Sequence, residues 1–255
     1  MIVFIAGMPR AGSMWTYNVV RELYKINKIT VIPEQIPKDE SALITEAVQS
    51  TVVDGEVYCI KTHFKLPDPL PTQHNVKIIC NIRDVRDACL SYKRFMRVDF
   101  ETCINVMREM MAATDYYLNA FTGNRFMVRF EELGDEHLDA IGKIAAFLGL
   151  PVSKKQTADI WAAYKKSSVK KNLDKLSEIK VDKDGRIKGT KYQKNYDTVR
   201  NRDGTYRIFD KTTSFQTNHI TSAKDGEWKT HFNNEQIEQI ISLSEDWLKK
   251  YGYTV

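Results

Sequence analysis

This sequence lacks a long hydrophobic run. No stretch approaches the roughly eighteen consecutive apolar residues that a membrane-spanning helix needs. The apolar run at its N-terminus is short, and it has neither the basic segment nor the cleavage site that mark a secretory signal. We therefore expect a cytoplasmic protein without a membrane segment.

Cysteine is scarce, and its spacing argues against two classes of site. The four cysteines, Cys59, Cys80, Cys89 and Cys103, form no C-x-x-C pair and no Cys–His pattern with the spacing of metal ligands. A reducing compartment is the plain interpretation. Internal repeats and low-complexity tracts are also missing, and 255 residues with 42% hydrophobic residues suffice for one domain with a full core.

The most informative pattern lies at the N-terminus. Residues 2–6 are Ile-Val-Phe-Ile-Ala, an apolar and β-branched run typical of a buried parallel strand. Gly7, Pro9 and Gly12 predict a tight turn, and apolar residues at helical spacing from Trp15 onward predict a helix. A strand, a glycine-bearing loop and a helix in this order bring backbone N–H groups and a helix N-terminus together, which is how proteins bind phosphate.

The loop differs from the P-loop of nucleoside triphosphatases. Gly7 and Gly12 have the separation of the Walker A motif, but Ser13 stands where that motif has its phosphate-binding lysine. Arg10 is the only cation in the loop. The loop therefore predicts an anion site that does not serve an ATPase. A tight turn without a ligand is the alternative interpretation of so short a motif.

Strand-like and helix-like segments alternate along the first 150 residues. Strands are predicted at 57–60, 76–80 and 125–130, and helices at 40–50, 87–95, 101–120 and 136–148. The proline-bearing segment 27–37 is interpreted as a connection. The alternation predicts a three-layer α/β/α fold with a central, mostly parallel sheet, built as a single domain over residues 1–255.

Polar residues follow three of the predicted strands. Arg10 follows the first, Lys61 and His63 follow the second, and Arg83 and Ser91 follow the third. Ligands of parallel sheets bind at the carboxyl ends of the strands, so these side chains should converge. One histidine and three cations around an anion loop favour transfer of an anionic group. The histidine would act as the base, and the cations would stabilise the developing charge.

Two of these residues have simpler alternative roles. In the alternative interpretation, His63 does no more than form a hydrogen bond with a carbonyl at the end of its strand. Arg83 could be a structural ion-pair partner of Asp84 or Asp87.

Together these motifs resemble the cytosolic-type sulfotransferases, which use 3′-phosphoadenosine 5′-phosphosulfate (PAPS) as donor. Residues 8–15 (Met-Pro-Arg-Ala-Gly-Ser-Met-Trp) resemble the family's 5′-phosphosulfate loop, and residues 61–63 (Lys-Thr-His) resemble its catalytic segment. The run from Arg83 to Ser91 resembles its 3′-phosphate segment. Later landmarks are matched by residues 129–133, 143–152 and 226–232. All of them occur in family order, which makes the set far more specific than any one motif.

The resemblance implies a reaction and a set of site residues. The sulfuryl group of PAPS would pass to a hydroxyl or amine of a small-molecule or carbohydrate acceptor, and 3′,5′-ADP would leave. His63 is the expected general base for in-line attack, while Lys61 and Arg10 would stabilise the leaving group. The expected donor-binding residues are Pro9, Arg10, Ala11, Gly12, Ser13, Met14, Trp15, Arg83, Ser91, Phe130, Ser168 and Lys224. No metal is expected, because cations occupy the place that magnesium takes in kinases.

Several positions depart from the family's pattern. Met14 replaces the second threonine of the loop, Arg10 replaces its lysine, and Phe130 replaces the tyrosine that contacts adenine. The family's Arg-Lys-Gly triplet falls on Thr-Ser-Ala at 221–223, so Lys224 is the nearest cation. Asn-Asn at 233–234 replaces the Thr-Val of the dimerisation motif, and we therefore expect a monomer or a weak homodimer.

Residues 165–211 concentrate the positive charge of the chain. They hold fifteen Lys or Arg and seven Asp or Glu, a net charge of +8 against +5 for the whole chain. We interpret the region from about 165 to 225 as a long basic loop that closes over the donor as a lid. Its field would steer a polyanionic donor toward the site. A solvated lysine-rich face is the alternative.

Two other functions stay open at this point. A P-loop kinase for a nucleoside or small metabolite would share the loop, although Ser13 and the lack of a clear magnesium carboxylate argue against it. A non-catalytic nucleotide- or nucleic-acid-binding protein would suit the basic segment, but it would leave Lys61 and His63 unexplained. We expect no nucleic-acid partner. Because loops build the acceptor pocket, phenols, alcohols, amines and sugar hydroxyls all stay open as acceptors.

Overall fold

The computed structural model describes residues 1–35, 40–49, 53–65, 75–120, 123–133, 138–220 and 225–255. Its strands are β1 (Ile2–Gly7), β2 (Thr30–Ile32), β3 (Glu56–Lys61), β4 (Val76–Ile82), β5 (Arg125–Arg129), β6 (Tyr196–Arg200) and β7 (Tyr206–Asp210). Its helices are α1 (Ser13–Ile26), α2 (Glu40–Gln49), α3 (Val85–Met96), α4 (Phe100–Ala120), α5 (Asp139–Leu148), α6 (Lys154–Tyr164), α7 (Lys166–Leu176), α8 (Thr190–Gln193), α9 (Trp228–His231) and α10 (Asn234–Lys250).

Five strands form one parallel sheet in the order β2-β3-β1-β4-β5. β1 lies at the centre, and every one of its residues is buried, which explains why its sequence is apolar throughout. The prediction of a plain connection over 27–37 is wrong at Thr30–Ile32, which pairs with β3 as a short edge strand. Three residues are too few to show a periodic pattern in the sequence.

Helices cover both faces of this sheet. On one face, Phe4 and Ile78 belong to a core cluster with residues of α3, α4 and α10. On the other face, Val3 and Ile79 belong to a second cluster with residues of α1, α5 and α7. Successive side chains of a strand point to opposite faces, and this divides the core into two. The predicted three-layer α/β/α fold is confirmed.

The basic region is more regular than its composition indicated. The prediction of a long loop is wrong for α7 and for the antiparallel hairpin of β6 and β7. Val169, Leu173 and Leu176 of α7 are buried in the core cluster that contains α1. Their spacing is that of an amphipathic helix, a signal that the many lysines around them obscured.

Gly7 ends β1 in a backbone conformation that other residues rarely adopt. Its φ is 105°, and a Cβ at this position would lie 2.3 Å from the Asn81 carbonyl oxygen of β4. Gly7→Ala is therefore expected to lower the free energy of unfolding by about 3 kcal/mol or more, because backbone strain adds to a clash with rigid backbone. Chemical denaturation measures this loss.

Gly55→Ala is the matched control for that variant. Gly55 also has a positive φ (84°), but a Cβ there would meet no described atom within 4 Å. Only the backbone strain applies, so a loss of about 1–2 kcal/mol is expected. Equal losses in the two variants would show that the approach of β4 does not restrict position 7.

Candidate active site

The loop between β1 and α1 forms one wall of the candidate site. Arg10 and Gly12 have positive φ values of 67° and 82°, and these fold the loop tightly before α1 begins at Ser13. A Cβ at Gly12 would lie 2.4 Å from Cδ1 of Leu133. The first helical hydrogen bond runs from Thr16 N–H to the Gly12 carbonyl (3.1 Å), so the N–H groups that precede Thr16 lie outside the helical ladder. Such a helix N-terminus can bind an anion.

A cavity of about 590 Å³ opens in front of this loop. Most of the predicted donor-binding residues line it, namely Arg10, Gly12, Ser13, Met14, Trp15, Arg83, Ser91 and Phe130. Pro9 and Ala11 belong to the same turn and are buried beneath it. Ser168 lies on α7, where its Oγ donates to the Ala162 carbonyl (2.7 Å). Lys224 lies outside the described residues.

The cavity is also lined by residues that were not among the predicted donor-binding residues. Glu131 and Leu133 belong to the landmark at residues 129–133, and Val169 follows the predicted Ser168. The others are Tyr164, Lys166, Phe215, His219, Ile220 and Asp225. Lys166, His219 and several others come from the region that was expected to form a basic lid. No local motif marks these last six residues, since only the packing of α7 and of the segment after β7 brings them to the loop.

Lys61 and His63 are held together at the end of β3. Nζ of Lys61 lies 3.0 Å from Nε2 of His63, and Nδ1 of His63 lies 2.8 Å from the Gly7 carbonyl oxygen. A carbonyl oxygen only accepts, so Nδ1 carries the proton and Nε2 presents its lone pair to Lys61. The carbonyl hydrogen bond considered as an alternative role for His63 therefore exists, and it leaves the other ring nitrogen for chemistry.

The environment of His63 keeps its ring neutral. Burial is the largest cause, followed by the Lys61 charge, and together they lower the pKa of His63 from 6.5 to about 3 against the opposing effect of the bond to Gly7. A neutral imidazole with an unprotonated Nε2 is in the protonation state that a general base requires.

We expect the His63 ring to stay uncharged between pH 5 and 8 in the free protein. The imidazole resonances, assigned by comparison with a His63→Gln variant, should not shift over this range in an NMR titration. An inflection near pH 6.5 would contradict a neutral His63.

The lowered pKa of His63 also makes the stability of the protein depend on pH. The unfolded chain binds the proton near its ordinary pKa of 6.5 and the folded chain only near 3, so acidification below pH 6.5 favours unfolding.

Arg10 ties the loop to two other parts of the site. Its Nε donates to Ser91 Oγ (3.0 Å), and its Nη2 donates to the His219 carbonyl oxygen (2.7 Å). The guanidinium also lies 4.3 Å from the centre of the Phe95 ring. Burial, followed by the charges of two neighbouring arginines, lowers the pKa of Arg10 to about 9. Cations grouped this closely favour a ligand with several negative charges.

Arg83, which directly follows β4, adds a second guanidinium to the lining of the cavity. Its Nη1 donates to the Arg10 carbonyl oxygen (3.2 Å), and its guanidinium lies 3.9 Å from the centre of the Phe130 ring. The side chain of Arg83 is only 6% exposed. The arginine is therefore fixed in place with its charge at the cavity wall.

The ion pair of Arg83 differs from the alternative considered above. Its Nη2 lies 3.1 Å from Oδ1 of Asp225, a residue far away in the sequence. Asp84 instead pairs with Arg86 (2.7 Å), and Asp87 accepts a hydrogen bond from the backbone N–H of Gly226 (2.9 Å). The partner of Arg83 thus lies inside the cavity.

The described ranges contain no group of three or more His, Cys, Asp or Glu side chains that could hold a metal ion. Within the part of the chain that the structure covers, no helix is long and apolar enough to cross a bilayer. The four cysteines are all buried as free thiols.

Comparisons with known proteins point in the same direction as the geometry. Residues 2–252 match the family model of the sulfotransferase domain. The chain is 23% identical to flavonol 3-sulfotransferase of Flaveria bidentis over 282 residues, which cover 98% of this chain and 82% of that protein.

Solved structures share the fold over almost all of this chain. One is retinol dehydratase in complex with androsterone and the inactive cofactor PAP, with 15% identity, a TM-score of 0.62 and coverage of 97% of this chain and 80% of that one. Another is a mouse sulfotransferase complexed with PAP, with 16% identity, a TM-score of 0.61 and coverage of 97% and 84%.

The family match extends over nearly the whole chain, as do the landmarks in the sequence. The predictions of a sulfotransferase enzyme and of its α/β fold are therefore confirmed. The chain belongs to the sulfotransferase family.

Proposed function

We propose that this protein transfers the sulfuryl group of PAPS to a hydroxyl or amine of a small-molecule or carbohydrate acceptor, with His63 as general base. One observation carries the proposal: the neutral His63 presents Nε2 to Lys61 while its Nδ1 is bound to Gly7, the residue that opens the anion loop. The proposed base His63, the cation Lys61 and the anion-binding loop that begins at Gly7 are therefore adjacent. The PAP bound in retinol dehydratase and in the mouse sulfotransferase supports PAPS as the donor.

The donor is proposed to lie along the 590 Å³ cavity. Its 5′-phosphosulfate would lie over the loop and the N-terminus of α1, and its adenine would pack near Trp15 and Phe130. Arg83 and Ser91 would hold the 3′-phosphate. The volume is within the usual range of small-molecule sites, and the guanidinium of Arg83 suits a dianion.

In the proposed reaction, an acceptor oxygen or nitrogen attacks sulfur while the bond from sulfur to the bridging oxygen breaks. Nε2 of His63 takes the proton of the acceptor, and the electron pair of the broken bond remains on departing 3′,5′-ADP. Lys61 and Arg10 would stabilise that charge. Because Lys61 lies 3.0 Å from Nε2, its attraction to the donor would also uncover the base. We propose that no metal ion takes part.

Further features of the proposal concern the protein's surroundings. We propose that the protein is cytoplasmic, which is consistent with its four free, buried thiols. We propose that it acts as a monomer or weak homodimer and has no nucleic-acid partner.

The region from 165 to 225 is proposed to cover the donor, since Lys166 and His219 already form part of the cavity wall.

The test is turnover in the presence of a chelator. The protein would be incubated with PAPS, EDTA and one acceptor at a time from four classes: a phenol, an alcohol, an amine and a sugar. Release of 3′,5′-ADP together with a sulfated product, both followed by mass spectrometry, is expected for at least one class. Absence of product with all four classes, or phosphoryl transfer from ATP that requires magnesium, would contradict the proposal.

A further inference from the structure

Asp225 places a carboxylate inside a cavity that is otherwise suited to a polyanion. Its Oδ1 lies 3.1 Å from Nη2 of Arg83, and both residues line the cavity. The side chain of Asp225 is 62% exposed, whereas that of Arg83 is only 6% exposed. The pair therefore joins a fixed, buried cation to a carboxylate that solvent and ligand can reach.

The backbone beside Asp225 is anchored independently of this ion pair. The N–H of Gly226 donates to Oδ2 of Asp87 (2.9 Å), and α9 begins two residues later with the buried Trp228. The guanidinium of Arg86 lies 4.5 Å from the centre of the Trp228 ring. A rotation of the Asp225 side chain can thus break the pair with Arg83 while the segment that follows stays in place.

Arg83 is incompletely satisfied by Asp225. The Nε of Arg83 is buried without a hydrogen-bond partner among the described residues, and Nη2 meets a single carboxylate oxygen. A phosphate group carries more charge than a carboxylate and can accept two parallel hydrogen bonds from a guanidinium. A phosphate is therefore the better partner for Arg83.

We propose that Asp225 occupies the position of the donor's 3′-phosphate when no nucleotide is bound, and that binding of a 3′-phosphorylated nucleotide displaces it. This inference rests on the proposed function, in which Arg83 holds the 3′-phosphate. Asp225 competes with that phosphate for Arg83, so it weakens the binding of PAPS and of 3′,5′-ADP alike. It is a specificity-determining residue that acts only on nucleotides with a 3′-phosphate, and it speeds the release of the product.

The experiment compares two ligands and three proteins by calorimetry. Wild type, Asp225→Asn and Glu227→Gln would each be titrated with 3′,5′-ADP and with 5′-AMP. For Asp225→Asn we expect about fivefold tighter binding of 3′,5′-ADP and less than about twofold change for 5′-AMP, as suits the loss of an ion pair whose carboxylate is exposed to solvent. Thermal melting would show that all three proteins are folded.

Glu227→Gln is the matched control for the loss of one negative charge. Glu227 lies two residues from Asp225 but is not part of the cavity lining, and its Oε1 pairs with Arg94 (2.6 Å). Its removal is expected to change the affinity for either ligand by less than about twofold.

The outcomes distinguish a failure of the Asp225 inference from a failure of the proposed donor site. If wild type binds 3′,5′-ADP better than 5′-AMP but Asp225→Asn binds it no tighter, Asp225 does not compete with the 3′-phosphate and only this inference is overturned. An equal gain in Glu227→Gln would overturn it as well, since general charge would then explain the effect. If wild type shows no preference for 3′,5′-ADP over 5′-AMP, the proposed donor site itself is wrong.

Discussion

A His63→Gln enzyme is expected to transfer sulfuryl groups about 10²–10⁴-fold more slowly than wild type, the usual contribution of a positioned general base. The glutamine amide can still donate to the Gly7 carbonyl, but it has no nitrogen lone pair to take the acceptor's proton. The measurement is the single-turnover rate with saturating PAPS and acceptor. The affinity for 3′,5′-ADP should change by less than about twofold, because the cavity assigned to the donor is lined by other residues.

His231→Gln provides the control for the loss of a histidine. His231 lies on α9, exposed and outside the cavity, beside Arg94. Its rate and affinity should equal those of wild type. If the His63→Gln rate stayed within about fivefold of wild type, His63 would not be the base. A loss of nucleotide affinity as large as the loss of rate would indicate a structural role instead.

Arg83→Ala is expected to weaken the binding of 3′,5′-ADP about 10–100-fold while 5′-AMP affinity stays within about threefold of wild type. In the proposed site the guanidinium would donate charge-assisted hydrogen bonds to the 3′-phosphate from a nearly buried position, and 5′-AMP lacks the group that would accept them. The ratio of the two affinities, measured by calorimetry, isolates the 3′-phosphate contact from any general effect on the fold.

Two further variants sharpen this result. Arg83→Lys keeps the charge without the planar fork and should lie between alanine and wild type. Arg94→Ala removes an arginine of α3, where it pairs with Glu227 (2.6 Å), and it should leave both affinities unchanged. Equal losses for 3′,5′-ADP and 5′-AMP in Arg83→Ala would mean that Arg83 supports the whole cavity and does not recognise the 3′-phosphate.

The parts of the site that the sequence predicts are those encoded locally. The β1 strand, the tight turn and the start of α1 follow from glycine positions and from hydrophobic spacing within about 20 residues. Lys61 and His63 are two residues apart at the end of a strand, so their proximity requires no knowledge of tertiary packing. The structure places Lys61 in register with Ile5 of β1 and His63 within hydrogen-bond distance of Gly7, as neighbouring parallel strands allow.

The parts that the sequence does not predict depend on contacts between distant segments. Arg83 meets Asp225 across 142 positions, and Arg10 meets the carbonyl of His219 across 209. Neither Asp225 nor His219 belongs to a motif, and the nearest family landmark before Gly226 is a triplet that this chain lacks. Only the packing of the segment after β7 against α3 brings these residues to the loop.

The charge count of residues 165–211 led to a wrong prediction of their backbone structure. A high density of lysine favours an exposed surface, but it does not prevent a helix whose apolar residues share one face. Val169 and Leu173 bury that face against the domain, while Lys170 and Lys171 remain exposed. Composition therefore predicted the surface of α7 correctly and its backbone wrongly.

The most direct test of the central claim is a calorimetric titration of the wild-type protein in a chelator, with 3′,5′-ADP and with ATP. A PAPS-dependent enzyme with this cavity should bind 3′,5′-ADP with a dissociation constant on the order of micromolar, and it should not need a divalent metal ion. Tighter binding of ATP that appears only when magnesium is restored would contradict the account and would instead indicate a kinase.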